Sequence, residues 1–237
     1  MPDKESPQYP RLRVENRAYE SSVFRKLHLE VAHRQDGLEV LHIVLYPRPK
    51  YDLPILSLDV VSSNGRIGFA IADPCPVSMN RVLPPWYQQG VLELQKDYKI
   101  NTIMSNGGRE LPEWGREILS PLCISMRPQN QEEVGAFLKY AIALGHFHMQ
   151  IAAMASPVSS QSAGGSHNSN KRLEQIAAAH KRYCDKQLEN TKTSKVLEKA
   201  FGEEVTRQYM EQVMFDWPGV EEANTRIYGG GDKDKSV

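Results

Sequence analysis

Between Val23 and Ala72, apolar and polar residues alternate with a period of two through four successive runs, and nothing else in the chain constrains its fold as strongly. Phe24–Ala32 sets Leu27, Leu29 and Val31 on one face and Lys26, His28 and Glu30 on the other, as strand geometry dictates. Leu38–Leu45 is apolar except for Glu39 near its start and His42, and Ile55–Val61 is apolar except for Ser57 and its single charge, Asp59. Arg66–Ala72 follows the turn signal Ser63-Asn64-Gly65. If these strands pair antiparallel in chain order, one register places Glu30, His42 and Asp59 side by side, with His28 on the same face. Two imidazoles and two carboxyls on an otherwise apolar surface point to proton transfer.

The remaining chain supports an α/β fold. Arg11–Glu15 alternates weakly and reads as an edge strand, after a polar lead-in over Met1–Pro10 expected to be flexible. Prolines 47, 49 and 54 exclude ladder pairing, so 47–54 is a stiff loop. Pro85–Leu94 reads as a short helix, Lys96–Gly108 as a mobile connection, Leu111–Leu119 as a helical turn and Pro121–Arg127 as a last strand. Gln131–Met154 carries apolar residues at helical spacing. A flexible Ser- and Gly-rich loop is expected over 156–170, helix over Lys171–Leu188, and one or two helices over Thr193–Met214, broken near Gly202. Residues 219–237 carry few hydrophobic side chains, end in GGGDKDKSV and are expected to be disordered. Strands first and helices later predict one domain over 1–237, with a central antiparallel sheet flanked by helices.

Lys plus Arg equals Asp plus Glu at 29 each, so no global field favours nucleic acid or a membrane surface. Cys75, Cys123 and Cys184 form no C-x-x-C pair and no H-E-x-x-H occurs, so metal binding by His28, Glu30 and His42, whose ligand types suit several metals, ranks below proton transfer. No apolar run approaches the ~20 residues of a membrane span. Taken singly, His28 and Glu30 would sit on a solvated strand face, His42 would be a satisfied core histidine, and Asp59 would tie down a turn. Jointly these alternatives weaken, because a buried charge without a partner is expensive.

The blocks RVENRAYESSVFRKLHLEVA, LHIVLYP, PILSLDVV and AIADPCP resemble the ferredoxin-dependent bilin reductases, in particular the phycocyanobilin-forming members. RELPEWG and NTKTSKVLEKAFGEEVTRQYMEQVMFDWP extend the likeness from about Arg11 to Pro218. The resemblance implies a three-layer α/β/α sandwich that binds biliverdin IXα between sheet and C-terminal helices. It implies no bound metal or organic redox cofactor. Electrons would come singly from reduced ferredoxin, and the protein would supply protons to bilin radicals. The product would be phycocyanobilin, formed by reducing the D-ring vinyl group and then the A-ring. A sister reductase making phytochromobilin and a non-catalytic bilin carrier are the alternatives.

Residue by residue, Asp59 resembles the central acid, His42 its partner, Glu30 the carboxyl that enables vinyl reduction, and His28 the anchor of their network. Arg109 and Lys192 resemble the cations that hold the propionates, and Asn190 belongs to the same substrate-binding block. A basic rim drawn from Arg25, Lys26, Arg48, Lys50, Lys192, Lys195 and Lys199 would steer acidic ferredoxin. A monomer is expected, in the chloroplast stroma or alternatively a cyanobacterial cytoplasm. Three departures stand out. The N-terminal helical segment of phycocyanobilin-forming members has no counterpart, so the chain is trimmed or this member dispenses with it. Gly68 replaces a serine that touches a propionate. Thr191 replaces the acid of the family's Asn-Asp-Lys-Thr motif, which bears on regiochemistry.

Overall fold

In the computed structural model, which describes residues 10–158 and 166–225, the alternating runs are consecutive strands of one sheet. β1 (Leu12–Tyr19), β2 (Phe24–Arg34), β3 (Leu38–Pro47), β4 (Ile55–Ser63), β5 (Arg66–Cys75) and β6 (Ile124–Met126) lie in chain order, each antiparallel to the next. Ser63 pairs with Arg66, which leaves Asn64 and Gly65 as a two-residue turn. Both have positive φ (51° and 75°), the primed turn whose twist matches the flanking strands.

Each sheet face carries its own apolar core. Leu45, Leu56, Val60, Ala70 and Ala72 pack against Tyr87 and Val91 of α1 (Pro85–Asp97), Ile100 of α2 (Ile100–Gly107), and Phe137, Tyr140 and Leu144 of α4 (Gln131–Met154). Val14, Ala32, Val44, Tyr46 and Ile71 pack on the opposite side. Their partners are Ile176, Ala179 and Tyr183 of α5 (Ser166–Gln187), Leu197 of α6 (Thr191–Phe201), and Met210 and Met214 of a π-helical turn (Met210–Met214) that continues α7 (Glu203–Tyr209). The result is the expected α/β/α sandwich. A short α3 (Glu113–Arg116) precedes β6.

Some boundaries differ from the sequence reading. Lys96–Gly108 is not a mobile connection: after Lys99 adopts a left-handed conformation (φ 54°), α2 forms, with Ile100, Ile103 and Met104 on the inner core. Residues 166–170 belong to α5 rather than to a loop, with Ser169 buried although that turn contains no apolar side chain. The tail past Pro218 forms α8 (Val220–Thr225), fastened by Arg48 Nη1 donating to the Ala223 carbonyl and Lys50 N–H donating to Asn224 Oδ1. The flexibility expected of 1–9, 159–165 and 226–237 lies outside the described residues.

Candidate active site

The sheet register puts Glu30 opposite His42 and His42 opposite Asp59, across three neighbouring strands. Cross-strand partners share a face, and His28, two residues before Glu30, shares it too. The face is the one covered by α5 to α7. Glu30 is 5% exposed and His28 and His42 are buried, whereas the Asp59 side chain keeps 27% of its surface. The solvated-strand alternative for His28 and Glu30 is therefore excluded.

His42 Nδ1 is hydrogen-bonded to Asp59 Oδ1. The His28 ring stands edge-on to His42 with centroids 5.8 Å apart, and Phe215 closes the other side at 5.9 Å. Burial alone would lower the pKa of His42, but the Asp59 charge and hydrogen bond, aided by Glu30, outweigh it, so imidazolium is favoured. Burial pushes Glu30 up, against the pull of His42 and of the hydrogen bond it shares with Tyr209. Burial, with His42 and Lys26 nearby, drops His28 to about 3, so it stays neutral. The face thus holds a carboxyl disposed to keep its proton, a charged imidazole and a neutral one. His42 Nε2 and His28 Nδ1 are buried without a hydrogen-bond partner among the described residues.

From Asp59 the same face runs on through Val61 and Phe69, both half-buried. Arg109, exposed, lies beyond Phe69 with its guanidinium 5.5 Å from the ring centroid, held by its N–H donating to the Ser125 carbonyl. Lys192 is exposed in the first turn of α6. Asn190 caps that helix: its Oδ1 accepts from Lys192 N–H and Thr193 N–H, and its Nδ2 donates to Thr193 Oγ1. None of these three residues joins the titratable row.

Four contributors were missed. Asn16 lies opposite Glu30 because β1 runs on to Tyr19, past the Glu15 at which alternation fades. Tyr209 reaches both Asn16 and Glu30 from α7, a contact that helical spacing cannot reveal. Phe215 and Asp216 follow the π-helical turn. The bulge between Phe24 and Lys26 turns two consecutive basic side chains to one face, which simple alternation forbids. Arg25 lies 4.4 Å and Lys26 4.6 Å from the Tyr46 ring centroid, and both bind the Asp216 carboxylate. Lys26 Nζ also donates to the carbonyls of Val213 and Met214, as does Tyr46 Oη to that of Met214.

This clamp fixes the segment bearing Phe215 over His42. It also corrects the proposed basic rim: Arg25, Lys26 and Arg48 are buried, the last against Glu20, and cannot form a docking surface. Asp216→Ala would strand two buried cations, so urea unfolding is expected to show a loss of about 3 kcal/mol. A loss below about 1 kcal/mol would mean that Asp216 is not the counter-ion that holds the segment.

Among the described residues, no group of three or more His, Cys, Asp or Glu side chains could hold a metal, and no helix is long and apolar enough to cross a membrane. The sequence profile described as ferredoxin-dependent bilin reductase matches residues 3–216. A phycocyanobilin:ferredoxin oxidoreductase from a Synechococcus strain is 38% identical over 208 residues, covering 88% of this chain and 77% of the relative. The Gloeobacter violaceus enzyme of that name is also 38% identical over 208 residues, covering 88% and 76%. Tomato phytochromobilin synthase, crystallised in complex with biliverdin, superposes with a TM-score of 0.70 at 16% identity, over 91% of this chain and 73% of the other, a likeness of fold. On the family profile and this level of identity, the chain belongs to the ferredoxin-dependent bilin reductase family.

Proposed function

We propose that this protein reduces biliverdin IXα to phycocyanobilin, taking four electrons from reduced ferredoxin and adding four protons, at the D-ring vinyl group before the A-ring. The observation that carries the proposal is the unbroken row Glu30, His42, Asp59 on one buried face. A bilin that gains an electron becomes basic, and the position of its protonation decides where the next electron settles. Asp59, the more accessible carboxyl, meets the bilin and is backed by the His42 imidazolium. Glu30, deeper and disposed to stay protonated, serves the vinyl-bearing end. The apolar floor through Val61 and Phe69 suits the open-chain tetrapyrrole, with Arg109 beside Phe69 and Lys192 on α6 to bind the propionates. Asn190 contributes by fixing the α6 terminus that carries Lys192.

The test is an anaerobic assay with biliverdin, ferredoxin and a reducing system, with products separated by chromatography. Phycocyanobilin as end product is expected. An A-ring-only product would assign the chain to a phytochromobilin-type activity, and tight binding without turnover would make it a carrier. Glu30→Gln is expected to slow vinyl reduction by about 10²-fold with biliverdin affinity unchanged. An unchanged product pattern and rate would remove Glu30 from the mechanism.

A further inference from the structure

Glu30 also belongs to a second chain of hydrogen bonds, running away from His42. Tyr209 Oη lies 2.5 Å from Glu30 Oε2 and 2.8 Å from Asn16 Oδ1. The same Asn16 oxygen lies 2.8 Å from His28 Nε2. An amide oxygen only accepts, so it takes the Tyr209 proton and the His28 Nε2–H. Tyr209 has a single proton, so its oxygen must accept from Glu30, which therefore carries a proton on Oε2. Turning the Asn16 amide over reverses every member. Its two N–H groups then donate to Tyr209 and to His28 Nε2, Tyr209 donates to an ionised Glu30, and the His28 hydrogen resides on Nδ1. Mixed arrangements place two hydrogens or two lone pairs face to face.

From this we propose that Tyr209 and Asn16 are positioning residues that tie the proton on Glu30 to the tautomer of His28, so that the two groups change state together. An N–H on the buried, unpartnered His28 Nδ1 is costly, so the first polarity dominates in the ligand-free protein. Among the described residues, the charged or titratable groups that act on the chain are His42 on β3, Asp59 on β4, Lys26 on β2 and Tyr209 itself on α7. His28 stays neutral throughout, so its tautomer rather than its charge responds. The assignment rests on the reading of Glu30 as a proton donor in vinyl reduction, but the coupling exists without substrate.

The experiment follows both groups in the ligand-free protein across pH. Nitrogen NMR of labelled histidine reports the His28 tautomer. The infrared band of the Glu30 carboxyl, assigned by its loss in Glu30→Gln, reports the proton. The His28 hydrogen is expected to pass from Nε2 to Nδ1 with the same midpoint as the loss of the carboxyl band. In Tyr209→Phe the two events are expected to separate by about one pH unit or more, and vinyl reduction to slow by about tenfold at unchanged biliverdin affinity. Should that variant not fold, Asn16→Leu must give the same separation. A His28 tautomer constant through the Glu30 titration, or joint titration surviving in the variants, would overturn the proposal. Joint titration in a protein that makes no phycocyanobilin would overturn only the functional reading, and phycocyanobilin formation without it only the coupling.

Discussion

Asp59→Asn is expected to slow reduction of bound biliverdin by about 10³-fold. Asparagine keeps the shape but cannot take up a proton from His42 and pass it on, and it withdraws the negative charge that holds His42 protonated. With that charge gone, burial becomes the dominant influence, so the His42 pKa falls and the ring is neutral near pH 7. Both groups proposed to deliver protons are disabled by one substitution, which is why its effect should exceed that of Glu30→Gln. Single-turnover absorption spectroscopy measures the rate, and nitrogen NMR of His42 reports the lost charge. A rate within tenfold of the parent, or an imidazolium that persists, would show that Asp59 is not the group that loads His42.

Acid should destabilise the fold in two stages. Burial drops His28, His148 and His180 to about 3, with His42 and Lys26 assisting at His28 and Arg25 at His180. Below about pH 6.5 the unfolded chain protonates all three while the folded chain does not, so stability falls with pH. Glu30 and Asp73 act in the opposite sense. Burial raises both above the ordinary carboxyl range, so the folded chain keeps protons there that the unfolded chain releases above about pH 4. These two carboxyls offset part of the histidine effect just above pH 4, so the loss of stability is gentler there than below it.

Below about pH 4 the unfolded carboxyls are protonated as well, and the offset disappears. The three histidines then act together, on the order of 4 kcal/mol per pH unit until about pH 3. His42, raised rather than lowered, is protonated in both states below about pH 6.5 and adds nothing to this slope. Thermal melts should therefore show Tm declining gently to about pH 4.5 and collapsing just below. A Tm constant between pH 5 and 3.5 would contradict the buried neutral state of these histidines.

The floor of the site was legible because period-two patterning and chain-order pairing are local properties. Once β2, β3 and β4 are strands, the opposition of Glu30, His42 and Asp59 requires only a register. Its walls were not legible, because they come from contacts between distant segments. Tyr209 and Asn16 are far apart in sequence, and the length of β1 depends on pairing with β2 rather than on its own weak alternation. The bulge at Phe24/Lys26 leaves no compositional trace, yet it turns two supposed docking cations into internal ones. Helix α2 was concealed by the exposed Asn101 and Thr102 while Ile100, Ile103 and Met104 do the packing.

The unbroken strand order has a consequence for biosynthesis. A meander closes through neighbouring hairpins, so Leu12 to Cys75 can pair as they leave the ribosome. Tyr209, Phe215 and Asp216 emerge only after the whole helical half. The acids and imidazoles are therefore laid out while still wet, and the expense of drying them falls on the final step, when the C-terminal segment closes over the ribbon. A nascent chain halted before that segment would show its ionisable row to the solvent, a feature by which quality control could distinguish it from the finished protein.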